Sequence, residues 1–512
     1  MSLRFHNQLT KTIDEFNPLV EGKVSLYTCG PTVYDYPHVG NWGSYIYWDT
    51  LVRVLTANNL DVTRVMNITD VGHLTSDEDE GEDKLEKGAR REGKTAWEVA
   101  AFYTADFMKG IERLNLIKPN HITKATEFIE EQLNLVRTLK EKGFTYQIDD
   151  GIYFDTAKFP SYAAFADLDL EAQRAGARVE YNEEKRNPSD FALWKFTPAG
   201  ETRDMEWETP TDLLDSEPSE TASLRISGAE TRAADVSENS DLEQVRLGFP
   251  GWHLECSAMA MSILGNTLDL HTGGIDHIPV HHTNEIAQSE AATGEVFANY
   301  WLHNNHLKVN GTKISKSLGN GYTLDDLEAK GFDPLDLRLF VLQSHYRNEG
   351  NFTFENLEAA KNRRTNWRNV AALRHQTHDT LRDDDEKSTD ETSVSLYATS
   401  QALVEALSND LDTPEAFKII DEAFSRIAAS RVDDIHQHAL TSLLETIDET
   451  LGLKLLQTTP DISDDVKRLV IERERARDNK DWDAADKLRV AIEKSGVTVR
   501  DTASGSIWEY SA

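Results

Sequence analysis

One stretch, residues 27–41 (YTCGPTVYDYPHVGN), most constrains the fold, because it passes from a strand through a turn towards a helix. Residues 23–28 alternate polar and apolar side chains, which predicts a strand. Cys29-Gly30-Pro31 ends that strand, and residues 41–55 are compatible with a helix. A helix that begins after such a turn presents N–H groups and a positive dipole end to an anion. We expect an anion-binding turn that also carries a thiol.

Two interpretations of residues 38–41 (HVGN) are open at this point. In the first, His38 and Asn41 donate hydrogen bonds to a phosphate, and Gly40 lets a flat ring lie against the backbone. In the second, the four residues form a turn with a capping Asn. The motif alone does not decide between them.

The length of 512 residues predicts two to four domains, and a hydrophobic fraction of 39% is enough for buried cores. No apolar run approaches the roughly 18 residues that span a bilayer, and the first residues have no signal-peptide core. We therefore expect a cytoplasmic protein without a membrane partner.

The formal net charge of −35 argues at first against a nucleic-acid partner. The acidity is concentrated, however: residues 212–243 hold nine Asp or Glu against two Arg, and residues 379–391 hold seven against two basic residues. Residues 466–500 instead hold ten Lys or Arg against seven acidic residues. The composition is compatible with one basic binding face.

The order of predicted elements is that of an α/β protein. Residues 60–66 predict a second strand, so Cys29 and Thr69 would face one crevice at the carboxyl ends of parallel strands. Residues 84–116 and 125–142 are helical in pattern, and residues 144–159 predict a hairpin. Residues 212–246 lack the apolar side chains to form a core, which predicts a disordered insertion.

Four possible metal ligands are scattered along the chain. Only two cysteines occur, Cys29 and Cys256, and we expect no disulfide between them. His281 and Glu285 are four apart on a predicted helix, so both can face one point. Two thiolates, an imidazole and a carboxylate form a mixture that zinc takes. The alternatives are buried, inert thiols, a His281 that caps a helix and a solvated Glu285.

Residues 313–317 (KISKS) form a cationic loop between Gly311 and Gly319, after a hairpin predicted for residues 307–320. Such a loop suits a polyphosphate whose charge grows as a bond breaks. A basic surface turn is the alternative. The HVGN motif upstream, separated from this loop by an α/β pattern, favours the phosphate interpretation.

The pair HVGN and KISKS resembles the two signatures of class I aminoacyl-tRNA synthetases. Four further motifs resemble the cysteinyl-tRNA synthetase family: CGPTVYD (29–35), GFPGWHLECSAM (248–259), GGID through HHTNE (273–285) and SHYR (344–347). Val39 and Asn41 stand where Ile and His are commoner, Ile314 replaces Met, and residues 212–246 are extra sequence. None of these departures removes a chemical group that the reaction obviously needs.

The resemblance implies an α/β fold: a Rossmann-like doubly wound parallel sheet with an inserted subdomain, then an α-helical bundle and a small C-terminal anticodon-binding domain. The expected division is 1–116 and 247–306 for the halves of the catalytic domain, 117–211 for a connective subdomain, 212–246 for the insertion, 307–375 for the KISKS loop and stem-contact region, 376–392 for an acidic loop, 393–460 for the bundle and 461–512 for the anticodon-binding domain.

The resemblance also implies a ligase that converts L-cysteine and ATP, with Mg²⁺, into cysteinyl-adenylate and then charges tRNA(Cys). We expect a monomer that holds one Zn²⁺ per chain through Cys29, Cys256, His281 and Glu285, with the substrate thiolate binding the metal directly. A hard hydroxyl is a poor ligand where soft sulfur is favoured, so serine would be rejected without editing.

Further site residues are implied by position in the family motifs. His38, Gly40 and Asn41 would bind ATP, Lys313 and Lys316 would contact the departing pyrophosphate, and Thr69, Trp252 and Asp276 would shape the cysteine pocket. In the tail, the positions associated with anticodon recognition are Arg477, Trp482, Asp486 and Asp501. A salt-bridged helical hairpin with a core Trp is the alternative for that tail.

Two rival functions are considered. A ligase of mycothiol biosynthesis, which joins activated cysteine to an amino sugar, shares the zinc and ATP motifs but lacks a C-terminal tRNA-binding portion, so residues 394–502 argue against it. A non-catalytic, zinc-stabilised tRNA-binding protein would not need both phosphate motifs.

We predict that Lys316→Ala lowers the rate of adenylate formation far more than the affinity for cysteine, because the lysine stabilises charge that develops only as pyrophosphate leaves. Pre-steady-state pyrophosphate release and equilibrium cysteine binding measure the two quantities. Equal losses would contradict the assignment.

Overall fold

The structure is a computed structural model that describes residues 2–72, 83–168, 184–198, 200–215, 246–315, 318–376, 391–430, 435–502 and 505–510. Three predictions lie wholly or largely outside these residues: the disordered insertion at 212–246, the acidic loop at 376–392, and the phosphate-binding role of Lys316.

The strands, in chain order, are β1 Arg4–Asn7, β2 Thr12–Glu15, β3 Lys23–Thr28, β4 Asp61–Ile68, β5 His121–Lys124, β6 Thr145–Ile148, β7 Gly151–Phe154, β8 Phe191–Phe196, β9 Trp207–Glu208, β10 Leu247–Pro250, β11 Leu268–Gly274, β12 Ala298–Asn304, β13 Leu307–Val309, β14 Gly350–Phe352, β15 Val497–Thr502 and β16 Gly505–Tyr510.

The α-helices are α1 Val39–Ala57, α2 Lys84–Glu92, α3 Ala96–Arg113, α4 Ile129–Glu141, α5 Trp252–Leu264, α6 Thr283–Thr293, α7 Leu324–Ala329, α8 Pro334–Leu342, α9 Phe354–Ala372, α10 Glu391–Ser408, α11 Thr413–Ala429, α12 Gln437–Leu451, α13 Asp464–Asp478 and α14 Trp482–Glu493. None of the helices described is both long and apolar enough to cross a membrane.

A five-stranded parallel sheet forms the centre of the N-terminal region, in the order β12-β11-β3-β4-β5. Tyr27 of β3 lies between His271 of β11 and Val65 of β4. Every neighbouring pair in this sheet is parallel, so all five strands end at one edge. The α/β doubly wound prediction is confirmed, and the edge is where such sheets bind ligands.

A second, antiparallel sheet has the order β6-β7-β8-β10-β9. It includes the predicted hairpin, whose strands β6 and β7 pair from Thr145 opposite Phe154 to Ile148 opposite Gly151. The chain thus leaves the parallel sheet after β5 and returns to it at β11. The division of the sequence at residues 117, 212 and 247 stays a proposal.

The hairpin predicted for residues 307–320 is present only as its turn, with one antiparallel bridge between Val309 and Thr312. Asn310 and Gly311 have positive φ and close a tight turn between Val309 and Thr312, but β13 pairs in parallel with β14, some 40 residues later. The Asn-Gly pair predicted the position of the turn correctly. It could not predict which strand pairs with β13, because parallel strands are joined by a crossover connection rather than by a turn.

A fully buried ion pair joins the catalytic region to the helical region. The Asp49 carboxylate of α1 accepts hydrogen bonds from Arg338 of α8 at 2.5 Å, from Arg53 at 2.7 Å and from the Ile117 amide at 2.6 Å. Arg338 also donates to the Leu451 carbonyl at the end of α12, at 2.6 Å. Burial raises the pKa of Asp49, but the two guanidinium groups outweigh it and hold that pKa below its usual range.

We predict that Arg338→Met lowers the unfolding free energy by about 3–5 kcal/mol, because it removes one of the two guanidinium groups that offset the buried Asp49 charge and removes the side-chain donor to the Leu451 carbonyl. Urea unfolding followed by tryptophan fluorescence measures the loss. Asp49→Asn combined with Arg338→Met should cost less than the sum of the single changes. Lys418→Met, in an exposed pair with Glu415, is the control and should leave the unfolding midpoint unchanged. A midpoint as unchanged in Arg338→Met would contradict this role.

Candidate active site and metal centre

The four predicted metal ligands meet at the carboxyl edge of the parallel sheet. Cys29 directly follows β3, and its amide donates to the Thr272 carbonyl of β11 at 3.1 Å. Cys256 lies in the second turn of α5. His281 lies in a π-helical turn, residues 278–282, that leads into α6, whose first turn carries Glu285.

These four side chains form one buried donor set. Sγ of both cysteines, a ring nitrogen of His281 and a carboxylate oxygen of Glu285 all lie within 4.8 Å of one another. The His281 Nε2 to Glu285 Oε1 distance is 2.8 Å, as the four-residue spacing predicts. Glu285 is fully buried, so it is not the solvated residue of the alternative interpretation.

Four histidines that the sequence analysis did not single out surround the donor set. His282 Nε2 lies 3.3 Å from Cys29 Sγ, His271 Nε2 lies 2.8 Å from Glu285 Oε2, and His253 Nδ1 lies 3.0 Å from His281 Nδ1. His303 Nε2 lies 2.7 Å from His282 Nδ1. The available signal was the density of histidines, because residues 271–282 alone contain four.

A second group of donors overlaps the first. Cys29, His271, His282 and Glu285 also present ligand atoms within 4.8 Å of one another. The two groups share Cys29 and Glu285, whose carboxylate turns one oxygen to His281 and the other to His271. The first group contains two thiols, whereas the second group contains a single thiol. The first group is therefore the softer donor set and the more similar to known zinc sites.

The protonation of the donor set is strongly perturbed. Burial raises the pKa of the Cys29 thiol. The hydrogen bond from Cys29 lowers the pKa of Cys256 to about 6 against the effect of burial. Burial alone would lower the pKa of His281, but the charges of Glu285 and Cys256 raise it to about 10. A metal ion displaces these protons, because only thiolates, carboxylate and neutral imidazole act as ligands.

The donor set fits a zinc ion. Two thiolates and a carboxylate would place three negative charges in the protein interior, which is costly unless a cation offsets them. Nδ1 of His271, His277 and His303 is buried without a hydrogen-bond partner among the described residues, a further sign that the pocket is built for polar occupants. The ligand types are those of zinc sites.

The three predicted pocket residues adjoin the donor set. Thr69 is buried and exchanges backbone hydrogen bonds with Pro31 and Val33 in the turn after Cys29. The half-buried Trp252 ring lies 4.5 Å, centroid to centroid, from the ring of His281. Asp276 is exposed, and its charge acts on the thiol of Cys29. A hydrogen bond from the Asn67 side chain to Thr69 Oγ1, at 3.1 Å, fixes that hydroxyl.

The residues of the first signature begin α1. His38 is the N-cap, its Nδ1 accepts from the Asn41 amide at 3.3 Å, and Asn41 Oδ1 accepts from the His38 amide at 3.0 Å. The capping interpretation is therefore present in the structure. It does not exclude phosphate binding, because a phosphate would meet the imidazole at its other nitrogen, Nε2, beside the helix N-terminus.

The two signatures lie against each other. A Cβ atom at Gly40 would lie 2.8 Å from Cδ1 of Ile314, so a larger residue there would require the Ile314 side chain of the KISKS loop to shift. The Val39 amide donates to the Tyr322 carbonyl at 2.8 Å, which ties the end of the loop to α1. Lys313 is exposed on this loop, whereas Lys316 lies outside the described residues.

A cleft of about 350 Å³ opens beside the first signature. Its floor is the Gly40 and Gly43 face of α1, which carries no side chain that would block a flat ring. The lining residues are Gly40, Gly43, Tyr47, Asn304, Asn305, His306, Leu307, Phe340, Val341, Ser344, Asn348 and Gly350.

The C-terminal module is a helical hairpin, α13 and α14, followed by the paired strands β15 and β16. Asp501 accepts two hydrogen bonds from Arg473, at 2.8 and 3.0 Å, and also pairs with Arg477. Trp482 is 59% exposed, so it is not the core residue of the alternative interpretation, and Asp486 is exposed one turn along α14. Sequence reasoning missed Arg473, which lies one helical turn before Arg477.

Two family models match the chain. The class I (C) tRNA synthetase catalytic domain matches residues 15–213 and 230–362, and the cysteinyl-tRNA ligase anticodon binding domain matches residues 459–508.

Similar proteins are found in sequence and in structure. A cysteine–tRNA ligase of Treponema denticola is 38% identical over 99% of this chain and 100% of its own, and cysteine–tRNA ligase 1 of Burkholderia lata is 38% identical over 99% and 96%. A Mycobacterium tuberculosis methionyl-tRNA synthetase bound to methionyl-adenylate has a TM-score of 0.56 at 14% identity, over 85% of this chain and 92% of its own. An Agrobacterium radiobacter LeuRS in complex with tRNA has a TM-score of 0.58 at 11% identity, over 88% and 86%.

The fold neighbours share the class I architecture, and the sequence relatives match along nearly the whole length. The chain belongs to the cysteine–tRNA ligase family of class I tRNA synthetases.

Proposed function

We propose that this protein activates L-cysteine with ATP, forming cysteinyl-adenylate and pyrophosphate, and then transfers cysteine to the 3′-terminal adenosine of tRNA(Cys). The observation that carries the proposal is the buried set of two cysteines, a histidine and a glutamate at the sheet edge, from which the chain runs on through Cys29 to the first signature at the start of α1. A soft donor set at this edge suits selection of a thiol substrate.

The first step needs orientation and charge stabilisation rather than a side-chain nucleophile. A carboxylate oxygen of cysteine attacks the α-phosphate of ATP, and the bond to the β-phosphate breaks as pyrophosphate leaves. His38 and the N-terminus of α1 would hold the phosphates, Gly40 and Asn41 would meet adenine and ribose, and Lys313 and Lys316 would stabilise the leaving group. Mg²⁺ would accompany ATP.

Zinc held by Cys29, Cys256, His281 and Glu285 would supply a Lewis acid that favours the thiolate of cysteine over the hydroxyl of serine. The chain supports that preference by burying the four donors and packing Trp252 over His281. Thr69 and Asp276 would orient the amino acid. A purely apolar pocket would separate cysteine from serine by only about 1–3 kcal/mol.

In the second step a terminal ribose hydroxyl of the tRNA attacks the activated carbonyl and releases AMP. Arg477, Trp482, Asp486 and Asp501 would contact the anticodon, with Trp482 stacking on a base. In this account the pair between Arg477 and Asp501 sets the position of both side chains. We expect a monomeric, cytoplasmic enzyme.

The C-terminal match to an anticodon binding domain counts against the amino-sugar ligase, and the presence of both phosphate signatures, HVGN and KISKS, counts against a protein that only binds tRNA.

Cysteine-dependent ATP–pyrophosphate exchange, measured with zinc content on the same sample and with serine as competitor, tests the function. We expect exchange with cysteine, no competition by serine, and one zinc per chain. Bound zinc without exchange would overturn the adenylation step and favour the binding-protein alternative. Exchange without charging of tRNA(Cys) would favour the amino-sugar ligase.

We predict that Cys256→Ser weakens zinc binding by more than about 100-fold, because Cys256 belongs only to the first donor group. His282→Asn should cost roughly 10- to 100-fold, the usual loss for an outer hydrogen-bond partner. A competing chelator titration measures both affinities.

Ser262→Ala, on an exposed position of the same helix as Cys256, is the matched control and should retain full affinity. A larger loss for His282→Asn than for Cys256→Ser would mean that the metal occupies the second donor group.

A further inference from the structure

We infer that Asp410, in the turn between α10 and α11, is a positioning residue for ATP, because it holds the cleft wall (Asn305 and Ser344) beside the first signature. In the proposed function Gly40, on the floor of that cleft, meets the adenine of ATP, so the role assigned to Asp410 rests on that function. The same role accounts for the SHYR motif (344–347), which the proposed function leaves without one.

The Asp410 carboxylate is buried at the junction of three parts of the chain. The residue is 2% exposed. Its Oδ1 accepts hydrogen bonds from the Tyr346 hydroxyl at 2.6 Å and from the His6 amide at 2.8 Å. Its Oδ2 accepts from Arg347 Nε at 2.8 Å and lies 2.7 Å from Arg347 Nη2. One carboxylate therefore joins the helical region to the SHYR motif and to strand β1.

The backbone around Asp410 adopts an uncommon conformation. Asp410 has a φ of 58° and Leu411 a φ of 52°, so two consecutive residues other than glycine are left-handed. Residues that carry a Cβ atom keep this conformation only where the surrounding contacts over-determine it. Here the Asp410 amide donates to the Arg4 carbonyl at 2.8 Å, and the carboxylate binds the SHYR motif. The turn is therefore fixed in the conformation that brings its carboxylate to that motif.

The two SHYR residues that bind Asp410 also hold Asn305 of the cleft wall. The Tyr346 carbonyl accepts from the Asn305 amide at 2.8 Å, and the Arg347 carbonyl accepts from Asn305 Nδ2 at 3.1 Å. Each of the two residues thus binds Asp410 through its side chain and Asn305 through its backbone. Loss of the Asp410 charge would release both side chains and, through them, Asn305.

A second contact from the same turn reaches Ser344 of the cleft wall. Thr413 Oγ1, at the start of α11, donates to the Ser344 carbonyl at 3.1 Å. The Tyr47 hydroxyl of α1 donates to the same carbonyl, also at 3.1 Å. Tyr47 lines the cleft as well. The helical region therefore supports the wall at two points, while α1 supplies the floor.

A tie that only stabilises the fold is the alternative for Asp410. Breaking such a tie would lower the unfolding free energy but leave the affinity for ATP unchanged in the molecules that remain folded. A positioning role predicts a lower affinity for ATP as well, because a displaced wall no longer fits the base. The affinity for cysteine should not change, because the partners of Asp410 described above are not members of the metal donor set.

The test compares Asp410→Asn with a matched control, Asp448→Asn. Asp448 is a half-buried carboxylate of the same helical region that accepts from the Leu455 and Leu456 amides at 2.6 and 2.9 Å. Both amides lie outside the set of residues that line the cleft. Calorimetry measures equilibrium binding of ATP, and pyrophosphate exchange gives KM for ATP and for cysteine. Urea unfolding of each variant is measured alongside.

We expect Asp410→Asn to weaken ATP binding and to raise KM for ATP about tenfold, the scale of one lost hydrogen bond to a charged group. KM for cysteine should stay unchanged. Tyr346→Phe, which keeps the ring and removes one hydrogen bond to Asp410, should act in the same direction by a smaller factor. Asp448→Asn should lower the unfolding midpoint and leave both KM values unchanged.

An unchanged affinity for ATP in Asp410→Asn would overturn the inference, and Tyr346→Phe decides in its place if Asp410→Asn does not fold. An equal loss of ATP affinity in Asp448→Asn, or an equal rise of KM for cysteine in Asp410→Asn, would overturn it too. Absence of both ATP binding and exchange in the unmodified protein would instead contradict the proposed function, so the two failures are distinguishable.

Discussion

The site depends on the parallel register of β3, β4 and β11. That register sets Tyr27 beside His271 and Val65, so the turn after Cys29, the loop after β4 and the turn before α6 emerge at one edge. A slip of one residue in the pairing of a strand would turn each of its side chains to the opposite face of the sheet. Gly30 shows how tight the arrangement is: a Cβ there would lie 1.7 Å from the Asn67 carbonyl oxygen, so only glycine fits between the two strand ends.

The same edge concentrates buried polar groups that an ordinary core would not tolerate. Cys29, Cys256, His281 and Glu285 are less than a tenth exposed, and the imidazoles of His282, His271 and His253 each lie within hydrogen-bond distance of one of them. A cation would offset the free-energy cost of burying these negative charges. The buried Asp49–Arg338 pair follows the same principle, with a guanidinium in place of a metal. The donor set and the ion pair therefore obey the same electrostatic requirement.

Local signals in the sequence were enough for the strand at 23–28, the donors at 281 and 285, and the turn at Asn310 and Gly311. The partners of those elements were not predictable locally. His282 contacts Cys29, which lies more than 250 positions earlier in the chain. Strand β13 pairs with β14 rather than with the residues that follow its turn. Arg473 donates a hydrogen bond to the carboxylate of Asp501. Each of these contacts depends on tertiary packing, so no fixed residue spacing in the sequence predicts it.

X-ray absorption at the zinc edge tests the central claim, that this donor set selects cysteine through sulfur. We expect two sulfur ligands in the zinc-loaded protein, one in Cys256→Ser, and an additional sulfur when cysteine is added to the unmodified protein, with no change on adding serine. A sulfur count that stays at two in the presence of saturating cysteine would contradict metal-based selection and leave the pocket side chains to account for it.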